Sequence, residues 1–184
     1  MSPWELPTSA VIGGQEYPIH ADYRDILEIM AYLDDPDKPE FLRWRIAVAL
    51  FYEGEIPREA YPEAMEYLAR FISQGEPGGR SGPRLLDWSQ DALAIVSDVN
   101  RVAGREIRDE AFVHWWTFLS WFHAIGEGQL STLVSIRDKL RRGKKLEKWE
   151  QDFYREHREQ VELKKRFSAR ELEEQRRLNE LLGE

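Results

Sequence analysis

Residues 111–125 read AFVHWWTFLSWFHAI, the most apolar stretch of the chain. Placed on a helix, Trp115, Trp116, Phe118, Trp121 and Phe122 cover nearly its whole circumference. A helix that is apolar all round belongs in a core. The pattern predicts a helix over residues 110–124, capped by Asp109, ended by Gly126 and Gly128, and central to a helical domain. Five large rings on so short an element also suit a partial subunit or ligand interface, because one side of such a helix is free to lie under a neighbour.

Working outward, the flanks are helical too. Upstream, Asp87 with Gln90 forms a capping-box pattern for a helix that closes at Gly104 and carries Leu93, Ile95, Val96, Val99 and Val102 on one stripe. Downstream, residues 130–140 predict a short helix. Residues 74–84 (QGEPGGRSGPR) hold four glycines and two prolines without an apolar side chain, the signature of a flexible loop. Before that loop, three further helices are expected. The first starts after the N-cap Asp22 and uses Tyr23, Ile26, Leu27, Met30 and Leu33. The second runs over residues 41–52, with Phe41, Leu42, Ile46, Ala49 and Leu50 as its apolar stripe. The third opens at Pro62 and buries Met65, Leu68, Ala69 and Ile72. At the start of the chain, Ala10 to His20 suits a hairpin turning on Gly13-Gly14, with Ile12, Tyr17 and Ile19 on one face and Pro18 confining the second strand to an edge.

From Leu146 the character changes. Trp149, Phe153, Tyr154, Val161 and Phe167 make a thin apolar seam in a charge-dense stretch that reads as a long polar helix, kinked at Ser168, where Ser168 and Glu171 offer a second capping box. A terminal helix with Leu172, Leu178, Leu181 and Leu182 follows. Too few apolar residues are present to bury this tail on the body, so it is expected to be solvated or to await a partner. The expectation is a mainly α protein of about six helices with a small N-terminal β-hairpin and a long charged C-terminal helix. Its expected division is a helical core domain over residues 1–145 and a charged extension over 146–184.

Composition narrows the function. The 184 residues include 34 acidic and 26 basic side chains, seven tryptophans and no cysteine, with a mean hydropathy of −0.61. No run approaches the ~20 apolar residues that span a bilayer, and the first residues show no secretory pattern. Without cysteine, disulfides and thiolate metal sites are excluded. Residues 1–136 hold 22 acidic and 11 basic side chains, whereas 137–184 hold 12 and 15, so the body is acidic and the tail slightly basic. An acidic body disfavours non-specific nucleic-acid binding. The basic clusters Arg141-Arg142, Lys144-Lys145 and Lys164-Lys165-Arg166 each have glutamates or aspartates nearby, so nucleic acid is an unfavoured partner.

Chemistry is hard to find. His114 and His123 fall on opposite faces of their helix and cannot share a metal, while His114 with Glu110 reads as a helix-edge pair. Asp34, Asp35 and Asp37 lack the glycine and closing glutamate of a calcium loop. GEPGGRSG lacks the lysine and hydroxyl of a phosphate loop, and no Gly-x-Ser-x-Gly is present. No catalytic, cofactor or metal residue is expected. The candidate partner-binding residues are Trp115, Trp121, Phe122, Trp149, Phe153 and Val161.

Four pieces in order carry a resemblance: IGGQEYPIHADYR (12–24), FYEGEIP (51–57), LLDWSQDA (85–92) and HWWTFL (114–119). Together they resemble the phage gene-product-fifteen family of long-tailed bacteriophages and prophages, over roughly residues 12–149. Members of that family lie in tail-gene clusters between the major tail protein and the tape measure protein. The resemblance implies a non-enzymatic tail assembly chaperone in the host cytoplasm, one that coats the tape measure helix until tail tube subunits replace it. It implies a helical, self-associating protein whose partners are the tape measure protein, further copies of itself and, as a further candidate, the tail tube protein. The family has no catalytic residues to carry over. The alternatives are a head–tail or tail completion protein retained in the virion and, less favoured, a nucleic-acid-binding regulator.

Overall fold

The computed structural model describes residues 4–75 and 82–164, together with 171 and 173. The described residues fall into two compact units, the first made of 4–75 with 171 and 173 and the second of 82–164. The break coincides with the glycine- and proline-rich stretch, read from sequence as a loop inside one core domain. Its residues 76–81 lie outside the described part, as do Phe167, Ser168 and the four terminal leucines.

The first unit starts with the hairpin. Strands β1 (Ser9–Ile12) and β2 (Gln15–Pro18) pair antiparallel, with Ile12 opposite Gln15 across Gly13-Gly14. Both glycines take positive φ, 58° and 79°, which the twist-matched two-residue turn demands. Ala10, Ile12, Tyr17 and Ile19 are buried, on one face as the alternation predicts. A lone hairpin is marginal, and three bonds anchor this one. The Gly13 amide donates to Glu63 (2.9 Å), the Tyr67 hydroxyl donates to the Ser9 carbonyl (3.1 Å), and Ile19 bridges to Tyr52.

Helices α1 (Tyr23–Leu33), α2 (Glu40–Phe51) and α3 (Tyr61–Ile72) complete the unit, α1 packing on α2 and α2 on α3. Asp22 caps α1 as expected, its carboxylate accepting from the Arg24 amide at 2.9 Å. Pro62 sits in the first turn of α3. The core is apolar and aromatic. Phe51 lies 5.0 Å from Phe71 and 4.8 Å from Tyr52, and the Tyr52 hydroxyl donates to the Ala64 carbonyl. Burial pushes the Tyr52 and Tyr67 phenols above their ordinary range, so both stay protonated donors.

Several buried faces differ from the expected stripes. In α2 the buried residues are Ala47, Val48 and Phe51, while Phe41, Ala49 and Leu50 face solvent and Leu42 and Ile46 are half-buried. The sequence of α2, EFLRWRIAVALF, is apolar on more than one side, so periodicity alone could not choose the inward one. In α3 the buried set is Ala64, Leu68 and Phe71, with Ala69 exposed. In α1 Ile29 is buried beside Tyr23 and Ile26, and Leu27, Met30 and Leu33 are only partly covered.

In the second unit α4 (Ala92–Ala103) packs against both α5 (Trp115–His123) and α6 (Gln129–Arg141). Gly104 closes α4 in the left-handed conformation, φ 70°, as expected. Leu93, expected inside, is 79% exposed, and Asp98 takes an inward position instead. The charged stretch forms two helices, α7 (Lys148–Glu156) and α8 (Arg158–Val161), separated at His157. The helix expected over residues 110–124 begins at Trp115. Asp109 lies in a short 3₁₀ turn, Ile107–Asp109, where the Glu106 side chain accepts the Arg108 amide. His114 provides the cap, its Nδ1 accepting from the Trp116 amide at 3.0 Å. A histidine acting as an acceptor is not among the usual capping signals, which is why the start was placed too early.

Candidate partner-binding site

The expected partner residues separate by burial. Trp115 is 1% exposed and belongs to a ring cluster inside the second unit. It stacks 5.6 Å from Phe118 and meets Trp88 at 6.0 Å. Phe122 is half-buried against the same Trp88 at 5.0 Å, and Trp121 is half-buried under the Arg105 guanidinium at 5.5 Å. The other three residues sit on α7 and α8. Trp149 is 54% exposed, its indole N–H donating to Glu147 at 3.2 Å. Phe153 rests on the His157 ring at 4.5 Å, and Val161 is buried. The six residues form two separate groups, on α5 and on α7–α8, and only Trp149 among them offers a large open surface.

Burial of the charged stretch has a cause that counting apolar residues misses. Arg137, 6% exposed, holds Asp91 through two bonds of 2.7 Å. The same guanidinium donates to the carbonyls of Leu85, Gln160 and Val161 at 2.6–2.9 Å. Its fork geometry supplies enough donors for all of these acceptors. Gln90 adds bonds to the carbonyls of Glu159, Gln160 and Glu162 and accepts from the Lys164 amide. The C-terminal end of α8 is thus held by side chains of the 84–91 loop and α6, with little apolar help. On α7, Glu150 is buried, takes Lys139 at 2.6 Å and accepts the Glu147 amide at 2.8 Å. Those two donors, Lys139 first, hold its carboxyl below the ordinary range. Glu106 is pushed down to about 2, mainly by the Arg108 guanidinium and then by the Arg108 amide.

Asp98 anchors the start of α6. Its carboxylate accepts the Leu130 amide at 2.9 Å and lies against Gly128, where a Cβ would overlap it. The basic clusters are partly spent internally, since Arg141 and Arg142 both pair with Asp138. Among the described residues no group of three or more metal-ligating side chains comes together, and no helix is long and apolar enough to cross a membrane.

On the first unit, exposed residues of α2 border two open hollows. Phe41, 71% exposed, edges an open groove of about 620 Å³ with Ile56 and Tyr61 on its walls and Arg45, Glu55 and Arg58 at its rim. At the other end of α2, Leu50 borders a smaller hollow with His20, Asp25 and Glu28. Phe41 and Leu50 are nine residues apart and so lie on opposite sides of α2, one at each hollow.

Fold and surface together define a mainly helical protein with an N-terminal hairpin and uncovered apolar side chains on its helices. The family model for Bacteriophage Gp15 protein matches residues 4–163, and the chain belongs to that family of phage proteins. No curated protein and no solved structure matches the chain.

Proposed function

We propose that the chain is a non-enzymatic tail assembly chaperone that binds the tape measure protein while a long phage tail is built. It acts in the cytoplasm of the bacterial host as a homo-oligomer and gives way to tail tube subunits. Membership of the phage family supplies the setting. The observation that carries the reading is the amount of apolar surface left open: Phe41, Leu93 and Trp149 on helices and Phe112 just before α5 are each more than half exposed. A reversible holder of a long amphipathic client needs such surface, ringed by polar groups that keep the free protein in solution. The first unit carries 14 acidic and 6 basic residues over 4–75, a net −8 that favours a basic client.

Co-expression with the tape measure protein of the same phage, followed by light scattering, tests the proposal. The expected result is tape measure that is soluble only in the presence of this chain, in a complex of many copies. Insoluble tape measure beside a closed ring of this chain alone would replace it with the head–tail or tail completion reading. Affinity for DNA or RNA that falls steeply with salt would favour the regulator instead.

A further inference from the structure

The turn between α6 and α7 gathers the cations of the second unit. Residues 82–164 hold 14 acidic and 14 basic side chains, whereas 138–150 hold six basic against three acidic, a net +3. The turn has a fixed shape. Gly143 ends α6 with φ 65°, its amide donating to the Leu140 carbonyl at 3.0 Å and that of Lys144 to the Lys139 carbonyl at 2.9 Å. These are the paired bonds of a glycine-closed helix end. Beyond it Leu146 is buried, and the Glu147 amide donates to the buried Glu150 at 2.8 Å where α7 starts. Arg141 and Arg142 share the carboxylate of Asp138, while the exposed Lys144, Lys145 and Lys148 take part in no ion pair among the described residues. The indole of Trp149, more than half exposed, is oriented by its N–H bond to Glu147. An oriented ring beside three unpaired lysines is an apolar anchor with a basic rim.

The first unit offers the converse, a net −8 over residues 4–75. On its hairpin Val11 and Glu16 pair across the strands and face outward, Val11 being 60% exposed. Exposed Glu53 lies at the edge of the same hairpin, its amide donating to the Pro18 carbonyl at 2.9 Å. Glu16 and Glu53 take part in no ion pair among the described residues. This surface is apolar with an acidic rim, where the turn is apolar with a basic one. Contact of like with like would set −8 against −8, or one +3 turn against another. A phosphate backbone would run from the turn onto the rest of its unit, where 11 acidic side chains face 8 basic ones. We infer that the α6–α7 turn of one copy docks on the hairpin face of a second copy, Trp149 against Val11 and the lysines against Glu16 and Glu53. Such a contact uses a different surface on each copy, so it is heterologous and adds copies in series. It rests on the homo-oligomer of the proposed chaperone and names the surfaces through which that oligomer grows.

The test is the mass of the full chain by light scattering over a range of concentrations. Mass is expected to rise with concentration and to fall back as salt is added. Lys144→Glu with Lys145→Glu and Lys148→Glu should raise the concentration needed for half-association about tenfold, and so should Glu16→Lys with Glu53→Lys. Trp149→Ser, which keeps the charge, should also raise it about tenfold. Circular dichroism should show all three variants folded, because the replaced side chains are exposed. An equal mixture of the two charge-reversed variants should associate like the wild-type chain, since each reversed turn then meets a reversed face and each native turn a native one. Unchanged association of the lysine variant, or no recovery in the mixture, would overturn the contact and leave the oligomer to another surface. A wild-type chain that stays monomeric at every concentration would overturn the oligomer and the contact with it, whereas solubility of the tape measure protein on co-expression reads the client part separately. A labelled single-stranded oligonucleotide bound by the wild-type chain and lost by the lysine variant, with its mass unchanged, would overturn the contact and assign the turn to nucleic acid.

Discussion

The two units solve the problem of a small core in different ways. In residues 4–75 the interior is rings and aliphatic chains, and Asp22 is the only charged residue there that is buried among those described. In residues 82–164 six polar or charged side chains are buried: Asp87, Asp91, Asp98, His114, Arg137 and Glu150. The first unit leaves Phe41 of α2 largely in solvent, whereas the second buries Glu150 and Val161 of its charge-dense stretch. Apolar residues inside and charged residues outside is therefore a poor guide to this protein. Directed hydrogen bonds can replace apolar area when every buried donor and acceptor is matched.

The largest effect should come from unmatching them. Arg137→Ala leaves Asp91 buried without its cation and takes a donor from the carbonyls of Leu85, Gln160 and Val161, and should lower stability by about 3–5 kcal/mol in denaturant titration. Arg137→Met with Asp91→Leu should recover part of that loss, because the buried charge goes with its partner. No recovery would mean that the carbonyl bonds to residues 85 and 160–161 dominate. The matching experiment in the first unit is Phe51→Ala, expected to cost about 3–5 kcal/mol through a cavity beside Phe71 and Tyr52, with no charged rescue available.

Next in size is Gly128→Ala. The backbone there is extended, so the new methyl brings no conformational strain; it meets the Asp98 carboxylate that holds the Leu130 amide. A loss of about 1–3 kcal/mol is expected, read as a lower thermal midpoint.

Acid should separate the units further. Glu150 and Glu106 have carboxyls held below their ordinary range, Glu106 at about 2. Stability from such groups is complete above the unfolded carboxylate value of ~4.3 and drains away as pH falls towards the folded value. The midpoint of the second unit should therefore drop between about pH 4.5 and pH 2, and Glu150→Gln should make that slope shallower. An unchanged slope would show that the Lys139 and Glu147 contacts are not made in solution.

How far the sequence discloses this contrast depends on the range of each signal. Gly13-Gly14, Asp22, Pro62 and Gly104 act on their immediate neighbours, and the turn, caps and helix boundary they imply are all present. His114 caps α5 through its ring nitrogen, and in sequence a histidine cap looks like any other histidine beside a helix. Arg137 and Asp91 are 46 positions apart, and nothing local distinguishes Arg137 from the solvated arginines around it. EFLRWRIAVALF of α2 is apolar round most of its circumference, so only packing against α1 and α3 selects the buried side, Ala47, Val48 and Phe51. Of the expected contact residues, Trp115 went to the core for the reason that made it noticeable, its place on the most apolar helix.

The smallest effect on stability carries the most weight for function. Phe41→Ser should shift unfolding by no more than about 0.5 kcal/mol, since that side chain is 71% exposed. The most direct measurement is the fraction of tape measure protein kept soluble by this folded variant, set against the unaltered chain. The account predicts that the tape measure moves to the pellet while the variant itself stays soluble with an unchanged thermal midpoint. Tape measure that remains in solution to the same extent would contradict it.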